Sequence, residues 1–151
     1  MQEIVTHSVA ETEAAGADFA RQLHSGVIAL LGGLGMGKTA FVRGMAAGLG
    51  LDAEVSSPTF ALVHEYGGQP PLVHFDMYRV SGWEDLETTG YFEYLNSEAL
   101  LVVEWSENIL AALPEDTLYV QFERLDDTSR RITIGATPSK GMDSAYENFG
   151  N

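Results

Sequence analysis

A glycine-rich segment, residues 30–44 with the sequence LLGGLGMGKTAFVRG, carries one of only two lysines in the chain. Within it, Gly32, Gly37, Lys38 and Thr39 satisfy the pattern G-x-x-x-x-G-K-[ST]. Glycines let the backbone curl with positive φ, so that successive N–H groups can face an anion at the start of a helix. The lysine would then reach the β- and γ-phosphates, and the threonine hydroxyl would bind Mg²⁺. A glycine-rich turn with an exposed lysine is disfavoured, because the motif follows an apolar run and opens a helical pattern.

The loop therefore predicts a site for a nucleoside triphosphate and Mg²⁺. Besides the motif residues, those expected to line the site are Gly33, Leu34, Gly35, Met36 and Ala40. Such a loop binds phosphates, but Mg²⁺ needs further oxygen ligands and the attacking water must be positioned. The rest of the site has to come from other segments.

Two acidic residues could complete the site, because each ends an apolar run. Asp76 closes LVHFD, and Glu104 closes LLVVE, the most hydrophobic strand pattern in the chain. Ligands bind beyond the carboxyl ends of strands in α/β sheets, which is where both acids are expected. Either acid could instead begin a solvated loop. Thr59, in the loop SSPTF, could sense the γ-phosphate through Mg²⁺ or could cap a turn.

Four other residues leave more than one interpretation or favour a structural role. Arg79 could contact phosphate or organise the acids, although an ion pair with one of the many carboxylates is at least as plausible. Trp105 could line the nucleotide site or pack in the core, and core packing is the simpler interpretation. His64 and His74 lie in strand patterns without a third ligand of suitable spacing, so they are interpreted as structural.

Strand and helix patterns alternate, which favours an α/β fold with a mostly parallel central sheet flanked by helices. Ser8 and Glu11 have capping-box spacing and predict a helix over residues 9–24. Period-two alternation on either side of DDT predicts a C-terminal antiparallel hairpin. The other predicted strands are 2–8, 26–32, 59–67, 71–79 and 99–105, and the other predicted helices are 38–50 and 106–113, with 83–97 helical or irregular.

Composition bounds the class of protein. The chain has 151 residues, no cysteine and a net charge of −14, so thiolate sites are excluded and a broad nucleic-acid-binding face is not expected. No apolar run approaches the ~20 residues of a membrane helix. The N-terminal segment lacks the pattern of a signal peptide, so a cytoplasmic location is expected. We predict one domain over residues 1–136 and a flexible tail over 137–151, which is polar and patternless.

The chain resembles the TsaE family, small P-loop ATPases that bacteria need for the threonylcarbamoyl modification of adenosine in tRNA. The resemblance rests on LLGGLGMGKTAFVRGMAAGLG, SSPTFALVHEY, VHFDMYR and LVVEWSE, and more weakly on ETEAAGADFA and SRRITI. Together these segments cover most of residues 11–134 in the family's order. The glycine loop alone is generic, whereas the joint run of SPTF, HFDMYR and EW is highly specific.

The resemblance implies a P-loop fold and an ATPase that uses ATP and Mg²⁺. It implies that Thr39 and Glu104 bind Mg²⁺, and that Thr59, Asp76 and Trp105 act near the nucleotide. Of these, Asp76 is the residue expected to position or activate the attacking water. The implied partners resemble the transferase TsaD and its companion TsaB, with tRNA reached only indirectly through that complex.

Three further points concern the same motifs. The catalytic lysine of the loop corresponds to Lys38, and the late arginine of the family corresponds to Arg130, near the nucleotide. Gly33 stands where the family usually has an acidic residue, and Ala40 stands where a second Thr or Ser is common. Neither departure removes a phosphate or metal ligand, although both could change loop flexibility or turnover.

Two other functions stay open on the sequence. A small-molecule P-loop kinase is disfavoured, because the chain is short and has only six arginines for a lid. A slow adenine-nucleotide switch without significant turnover is also compatible, whereas a GTPase is disfavoured because no N-K-x-D stretch is present.

Overall fold

The computed structural model of the chain describes residues 2–33, 35–51 and 63–136. Within these ranges seven strands form one sheet, and helices cover it. The strands are β1 (Gln2–Thr6), β2 (Gly26–Leu31), β3 (Val63–Gly67), β4 (Leu72–Asp76), β5 (Leu100–Glu104), β6 (Leu118–Arg124) and β7 (Arg130–Gly135). The helices are α1 (Val9–Arg21), α2 (Lys38–Gly48), α3 (Trp83–Thr88) and α4 (Tyr91–Leu95), with a 3₁₀ segment at Ser106–Ala112.

The sheet is mixed, with the strand order β1-β7-β6-β2-β5-β4-β3. The four strands β6, β2, β5 and β4 are joined by parallel pairings. The pairings β1–β7, β6–β7 and β3–β4 are antiparallel. The predicted α/β class and the C-terminal hairpin are confirmed, but "mostly parallel" describes only the four central strands. Short turns explain the pairings β3–β4 and β6–β7, because a strand that returns through a few residues must pair antiparallel. The strand β1 joins β7 from the other end of the chain instead.

The sheet separates two apolar layers of the core, and the strand β5 contributes side chains to both. Leu100 and Val102 join an apolar cluster with α1 and α2, where Phe41 packs against the other aromatic rings. Leu101 and Val103 join a second cluster on the opposite face, with α3, α4 and the 3₁₀ segment. Each fully buried side chain of this kind contributes about 1.5–3 kcal/mol through removal of apolar surface from water. Both faces of β5 are therefore covered by apolar side chains, which fixes the position of Glu104, the last residue of the strand.

The two helices α1 and α2 approach each other closely at glycines. A Cβ atom built on Gly44 would lie 1.9 Å from the carbonyl oxygen of Glu13, and one on Gly16 would lie 2.1 Å from that of Phe41. Real side chains do not tolerate such distances, so only glycine permits this crossing. The contact holds the start of α1 beside the start of α2.

Most predicted elements are confirmed with shifted ends. Ser8 caps α1 by accepting the backbone N–H of Glu11, as the spacing predicts, but the helix ends at Arg21. The predicted helix 106–113 is a 3₁₀ segment that is interrupted at Ile109. Predictions for residues 52–62 and for the tail 137–151 lie outside the described residues. None of the described helices is long and apolar enough to cross a membrane.

Candidate functional site

The topology brings the ends of several strands to one edge of the sheet. Parallel pairing places the last residues of β4 and β5 side by side, with Asp76 and Glu104 as register partners. The strand β2 ends at the same edge and leads into the glycine loop. Antiparallel pairing brings the end of β1 and the β6–β7 turn there as well, because Thr6 pairs with Arg130 and Arg124 pairs with Arg130. Five chain segments therefore converge around the start of α2.

The glycine loop has the backbone that its composition predicts. Gly32, Gly35 and Gly37 have φ values of 137°, 73° and 100°, which other residues rarely adopt. A Cβ atom on Gly32 would also lie 3.0 Å from the carbonyl oxygen of Phe122. The helix α2 begins directly after Gly37, so its unpaired N–H groups face the loop.

Lys38 is buried and has two oxygen neighbours. Its Nζ donates a hydrogen bond to the carbonyl oxygen of Gly32 at 2.7 Å, and it lies 3.8 Å from Oε1 of Glu104. The same Nζ lies 5.8 Å from the centre of the Trp105 ring, within reach of a cation–π interaction. The lysine side chain is 9% exposed, so its charge is held by these contacts rather than by bulk water.

Glu104 is the acid at the centre of the site. Its Oε2 accepts a hydrogen bond at 2.7 Å from Nε2 of His74, a residue that is fully buried. Burial acts to raise the pKa of Glu104, but the His74 hydrogen bond, the His74 charge and the Lys38 charge together hold that pKa below its usual value. Glu104 is therefore ionised at neutral pH and can accept from a donor or bind a cation.

Asp76 is the register partner of Glu104, but its carboxylate forms a different kind of contact. Its Oδ1 accepts the backbone N–H of Tyr78 at 2.9 Å, which closes the turn after β4. Asn108 holds the same turn by donating to the carbonyl oxygens of Met77 and Tyr78. Asp76 does not line the main cavity of the site in the described part of the chain. The half-buried Asp76 therefore lies at the same edge of the sheet as Glu104 but outside the lining of the main cavity.

Trp105 begins the segment after β5 in an unusual conformation. Its φ of 59° is the only positive value among the non-glycine residues that the structure describes. A left-handed conformation costs a residue with a side chain about 1 kcal/mol or more. The Tyr78 ring packs against the indole with centroids 4.9 Å apart, and Trp105 lines the main cavity. The core-packing interpretation of Trp105 is therefore incomplete, since the ring also borders open space.

The main cavity has a volume of about 530 Å³ and two walls of different character. We call the first the inner wall, made of Lys38, Thr39, Glu104 and Trp105 together with the loop residues Gly35–Gly37 and Ala40. We call the second the outer wall, made of His7, Ser8, Val9, Thr12, Asp127, Thr128 and Arg130. Of the outer wall, the sequence pointed only to Arg130.

Arg130 links the two walls. One guanidinium nitrogen donates to the carbonyl oxygen of Gly35 at 3.3 Å, and the other donates to the carbonyl oxygens of Asp126 and Ser129, both at 2.9 Å. His7 hydrogen bonds through Nδ1 to the Ser129 hydroxyl at 3.0 Å. These contacts fix the β6–β7 turn against both the glycine loop and the start of α1. The outer wall is therefore assembled by backbone carbonyls and short polar side chains.

Several predicted site residues are not brought into the cavity lining. Leu34 and Thr59 lie outside the described residues. Gly33 is exposed, and no atom of the described residues lies within 4 Å of a Cβ atom built on it. Arg79 is exposed just beyond β4 and forms no ion pair with another described residue. The residues of the outer wall come together because β1 and β7 pair beside β6. That strand order cannot be predicted from local sequence patterns, so the sequence carries no signal for most of the outer wall.

The fold and site define an α/β protein with a mixed seven-stranded sheet and a glycine-rich loop beside a cavity at the carboxyl edge of its parallel strands. Comparison with known proteins shows which family shares this fold and sequence. The sequence model of the family described as threonylcarbamoyl adenosine biosynthesis protein TsaE matches residues 6–132. The chain belongs to the TsaE family.

Individual relatives agree with that assignment. The chain is 39% identical over 131 residues to the tRNA threonylcarbamoyladenosine biosynthesis protein TsaE of Treponema pallidum, covering 86% of this chain and 97% of the relative. It is 39% identical over 115 residues to the TsaE of Bacillus subtilis, covering 76% and 72%. The crystal structure of Bacillus subtilis YdiB superposes with a TM-score of 0.77 at 32% identity, covering 97% of this chain and 91% of that one.

Proposed function

We propose that this chain is a Mg²⁺-dependent ATPase with a P-loop fold, which supports the threonylcarbamoylation of adenosine in tRNA. The observation that carries the proposal is the meeting of Lys38 and Glu104 at the start of α2. A buried lysine, an ionised acid and the positive-φ glycines face one cavity of about 530 Å³. This size is within the range of small-ligand pockets.

The loop and Lys38 account for phosphate binding. Backbone N–H groups at the start of α2 stabilise negative charge, and the helix dipole adds to them. In the structure Lys38 donates to the carbonyl oxygen of Gly32, a neutral acceptor that a phosphate oxygen can replace. Lys38 would thus exchange one internal bond for a charge-assisted one to the β- or γ-phosphate.

The inner wall fits a magnesium ion held jointly by protein and nucleotide. No group of three or more His, Cys, Asp or Glu side chains forms a metal site in the described ranges. Mg²⁺ suits such a wall, because it is usually held by one or two carboxylates, waters and substrate phosphates. The hard oxygen donors at hand are the ionised Glu104 and the hydroxyl of Thr39, which both line the cavity. The ion would neutralise charge on the phosphates when bound.

Other residues would handle the water and the nucleoside. Asp76 lies beside Glu104 at the strand edge, and its Oδ1 accepts the Tyr78 N–H. Its carboxylate could orient the attacking water while it keeps that contact. We propose that Thr59 senses the γ-phosphate, as the family resemblance implies. Arg130 and Trp105 border the cavity on opposite walls, and Val9 offers apolar surface for a base. These roles extend the proposal from phosphate binding to hydrolysis.

The proposed partners are proteins resembling TsaD and TsaB. A net charge of −14 disfavours strong direct binding of tRNA, whose phosphates are also negative. We therefore propose that tRNA is reached through a partner surface. Reconstitution with TsaD and TsaB tests this: repeated rounds of modification should need this chain and hydrolysable ATP. If tRNA were modified equally well with a non-hydrolysable ATP analogue, repeated modification would not require ATP hydrolysis.

The direct test of the ATPase compares the chain's two lysines. In the presence of the partners, Lys38→Ala should lose most ATP hydrolysis, by about 100-fold or more if it stabilises the transferring phosphoryl group. Lys140→Ala, the only other lysine substitution available, serves as the matched control. Wild-type turnover in Lys38→Ala would contradict the assignment of the loop.

The same assay separates hydrolysis from a kinase reaction. Phosphate released to water indicates an ATPase, whereas phosphate that appears on an added small molecule indicates a kinase. A slow switch would release almost no phosphate but would bind its partner with different affinity in the ATP and ADP states.

A further inference from the structure

His74 is a buried side chain whose two ring nitrogens have different surroundings. Its exposure is 0%, and its Nε2 hydrogen bonds to Oε2 of Glu104 at 2.7 Å. Its Nδ1 is buried and has no hydrogen-bond partner among the described residues. A buried polar atom without a partner costs free energy, so such an atom calls for an explanation. A histidine needed only to fill the core would be replaced by an apolar residue without that cost.

The sheet fixes His74 relative to Glu104. In the parallel pairing of β4 and β5, His74 is opposite Val102 and Asp76 is opposite Glu104. Because side chains alternate along a strand, positions two apart face the same side of the sheet. The imidazole therefore extends along the sheet toward the next carboxylate. Both groups stand on regular strands covered by packed layers, which hold a site more closely than loops do.

The hydrogen bond from His74 gives the two carboxylate oxygens of Glu104 different surroundings. Oε2 is occupied by the N–H of His74, and Oε1 faces Lys38 across 3.8 Å, longer than a hydrogen bond. Without His74, the carboxylate could rotate and pair closely with Lys38. That pairing would tie up the lysine needed for phosphate and the oxygen needed for a cation.

We propose that His74 is a positioning residue, which anchors Oε2 of Glu104 so that Oε1 stays available to a divalent cation bound with a nucleotide. The inference rests on the proposed function and deepens it. His74 acts through Glu104 and touches neither the nucleotide nor the cation. Outer partners of this kind typically change metal affinity 10- to 100-fold when they are removed.

The test measures binding rather than turnover. Calorimetry gives the affinity for a non-hydrolysable ATP analogue once with EDTA and once with Mg²⁺, and the ratio of the two affinities reports the cation's contribution. His74→Leu removes the N–H donor, and His74→Gln retains an amide N–H at similar reach. His64→Leu is the matched control, because His64 is the register partner of His74 on β3 and its ring nitrogen contacts Tyr66.

The expected result is specific to the cation. In His74→Leu the Mg²⁺ ratio falls about 10-fold or disappears, while the affinity in EDTA stays near that of the wild type. His74→Gln recovers most of the ratio, and His64→Leu keeps it. An unchanged ratio in His74→Leu would overturn the proposal, and so would an equal loss of affinity with and without Mg²⁺, which indicates a purely structural role.

Two provisions keep the test decisive. If near-ultraviolet circular dichroism shows that His74→Leu does not fold, His74→Asn takes its place, since its shorter amide falls short of Glu104. Equal ratios in His74→Asn and His74→Gln would then overturn the proposal. A wild-type affinity that does not respond to Mg²⁺ would instead contradict the magnesium-dependent function itself, which separates the two failures.

Discussion

The inner and outer walls of the cavity are built in opposite ways. On the inner wall, Lys38 and Glu104 are 8% and 6% exposed and hold each other's charges in place. On the outer wall, Val9 is 63% exposed, and the β6–β7 turn is held by the exposed Asp126, whose Oδ1 accepts the backbone N–H groups of Thr128 and Ser129. Buried charges act strongly because water does not screen them, whereas an exposed turn adapts its shape at little cost. From this difference we expect the inner wall to bind the phosphates of a nucleotide and the outer wall to fit its nucleoside.

The largest effect is expected on the inner wall, from Glu104→Gln. The substitution keeps the shape of the side chain but removes the charge that Lys38 faces and that a cation would bind. The Mg²⁺-dependent gain in nucleotide affinity should fall by at least about 100-fold, the upper end of the effect of losing an outer partner. Calorimetry with and without Mg²⁺ measures this, and an unchanged Mg²⁺ titration would remove Glu104 from the cation site.

The joint between the walls is tested by Gly44→Ala. The added methyl group would meet the Glu13 carbonyl oxygen and push α1, which carries part of the outer wall, away from α2. Although alanine favours a helix by up to about 1 kcal/mol over glycine, overpacking should win and lower the free energy of unfolding by about 1–3 kcal/mol. Denaturant unfolding measures the change.

The matched control for this stability measurement is Gly33→Ala, where a Cβ atom meets no atom of the described part of the chain within 4 Å. Its free energy of unfolding should stay within about 0.5 kcal/mol of the wild type, as for other exposed substitutions. Equal losses in the two variants would show that the crossing of α1 and α2 tolerates a methyl group.

A smaller and different effect is expected from Arg130→Ala. The guanidinium ties the outer wall to the carbonyl oxygen of Gly35, so its loss should weaken nucleotide binding about 10-fold. The Mg²⁺ ratio should not change, because the inner wall is intact. Arg131→Ala is the control, since Arg131 pairs with Glu3 and Glu123 instead. A loss of the Mg²⁺ ratio in Arg130→Ala would contradict the assignment of cation binding to the inner wall alone.

The smallest effect is a pH dependence in the β6–β7 turn. The backbone N–H of Thr128, together with hydrogen bonds from Ser129, holds the pKa of the exposed Asp126 below its usual value. A lowered pKa in the folded protein means that the ionised group stabilises it at neutral pH. This contribution fades as the pH falls from about 4, the ordinary value for aspartate, through the lower folded pKa.

The variant Asp126→Asn checks that sign. Its melting temperature should be slightly below that of the wild type at pH 7, and the two should converge as the pH falls below about 4. A difference that grows on acidification would mean that the turn is held by other groups.

The sequence predicted the inner wall better than the outer wall for a physical reason. The loop pattern around Lys38 is local, and Glu104 ends an apolar run that can be recognised within a few residues. The outer wall depends on β1 and β7 joining the sheet beside β6, which results from long-range pairing. Only Arg130 was indicated there, and that indication came from family resemblance. Local patterns therefore locate the residues of the inner wall but not those that enclose the cavity from the other side.

His74 and the sheet illustrate the same limit. The sequence interpretation of His74 as structural missed its contact with Glu104, because the two residues are 30 positions apart and meet only through the register of β4 and β5. The mixed character of the sheet was partly foreseeable, since the sequence GQPP at residues 68–71, between β3 and β4, is typical of a short turn, which favours an antiparallel pair. The joining of β1 to the far edge was not, because no local signal specifies it.

The central claim is that a nucleotide with Mg²⁺ occupies the cavity between the two walls. Amide NMR spectra recorded during addition of a non-hydrolysable ATP analogue with Mg²⁺ test it directly. The account predicts saturable shifts concentrated at the amides of Gly35–Thr39 and Thr128, with the shifts lost in Lys38→Ala. Saturable shifts confined elsewhere, for example around the cavity of about 360 Å³ between β1 and α1, would contradict it.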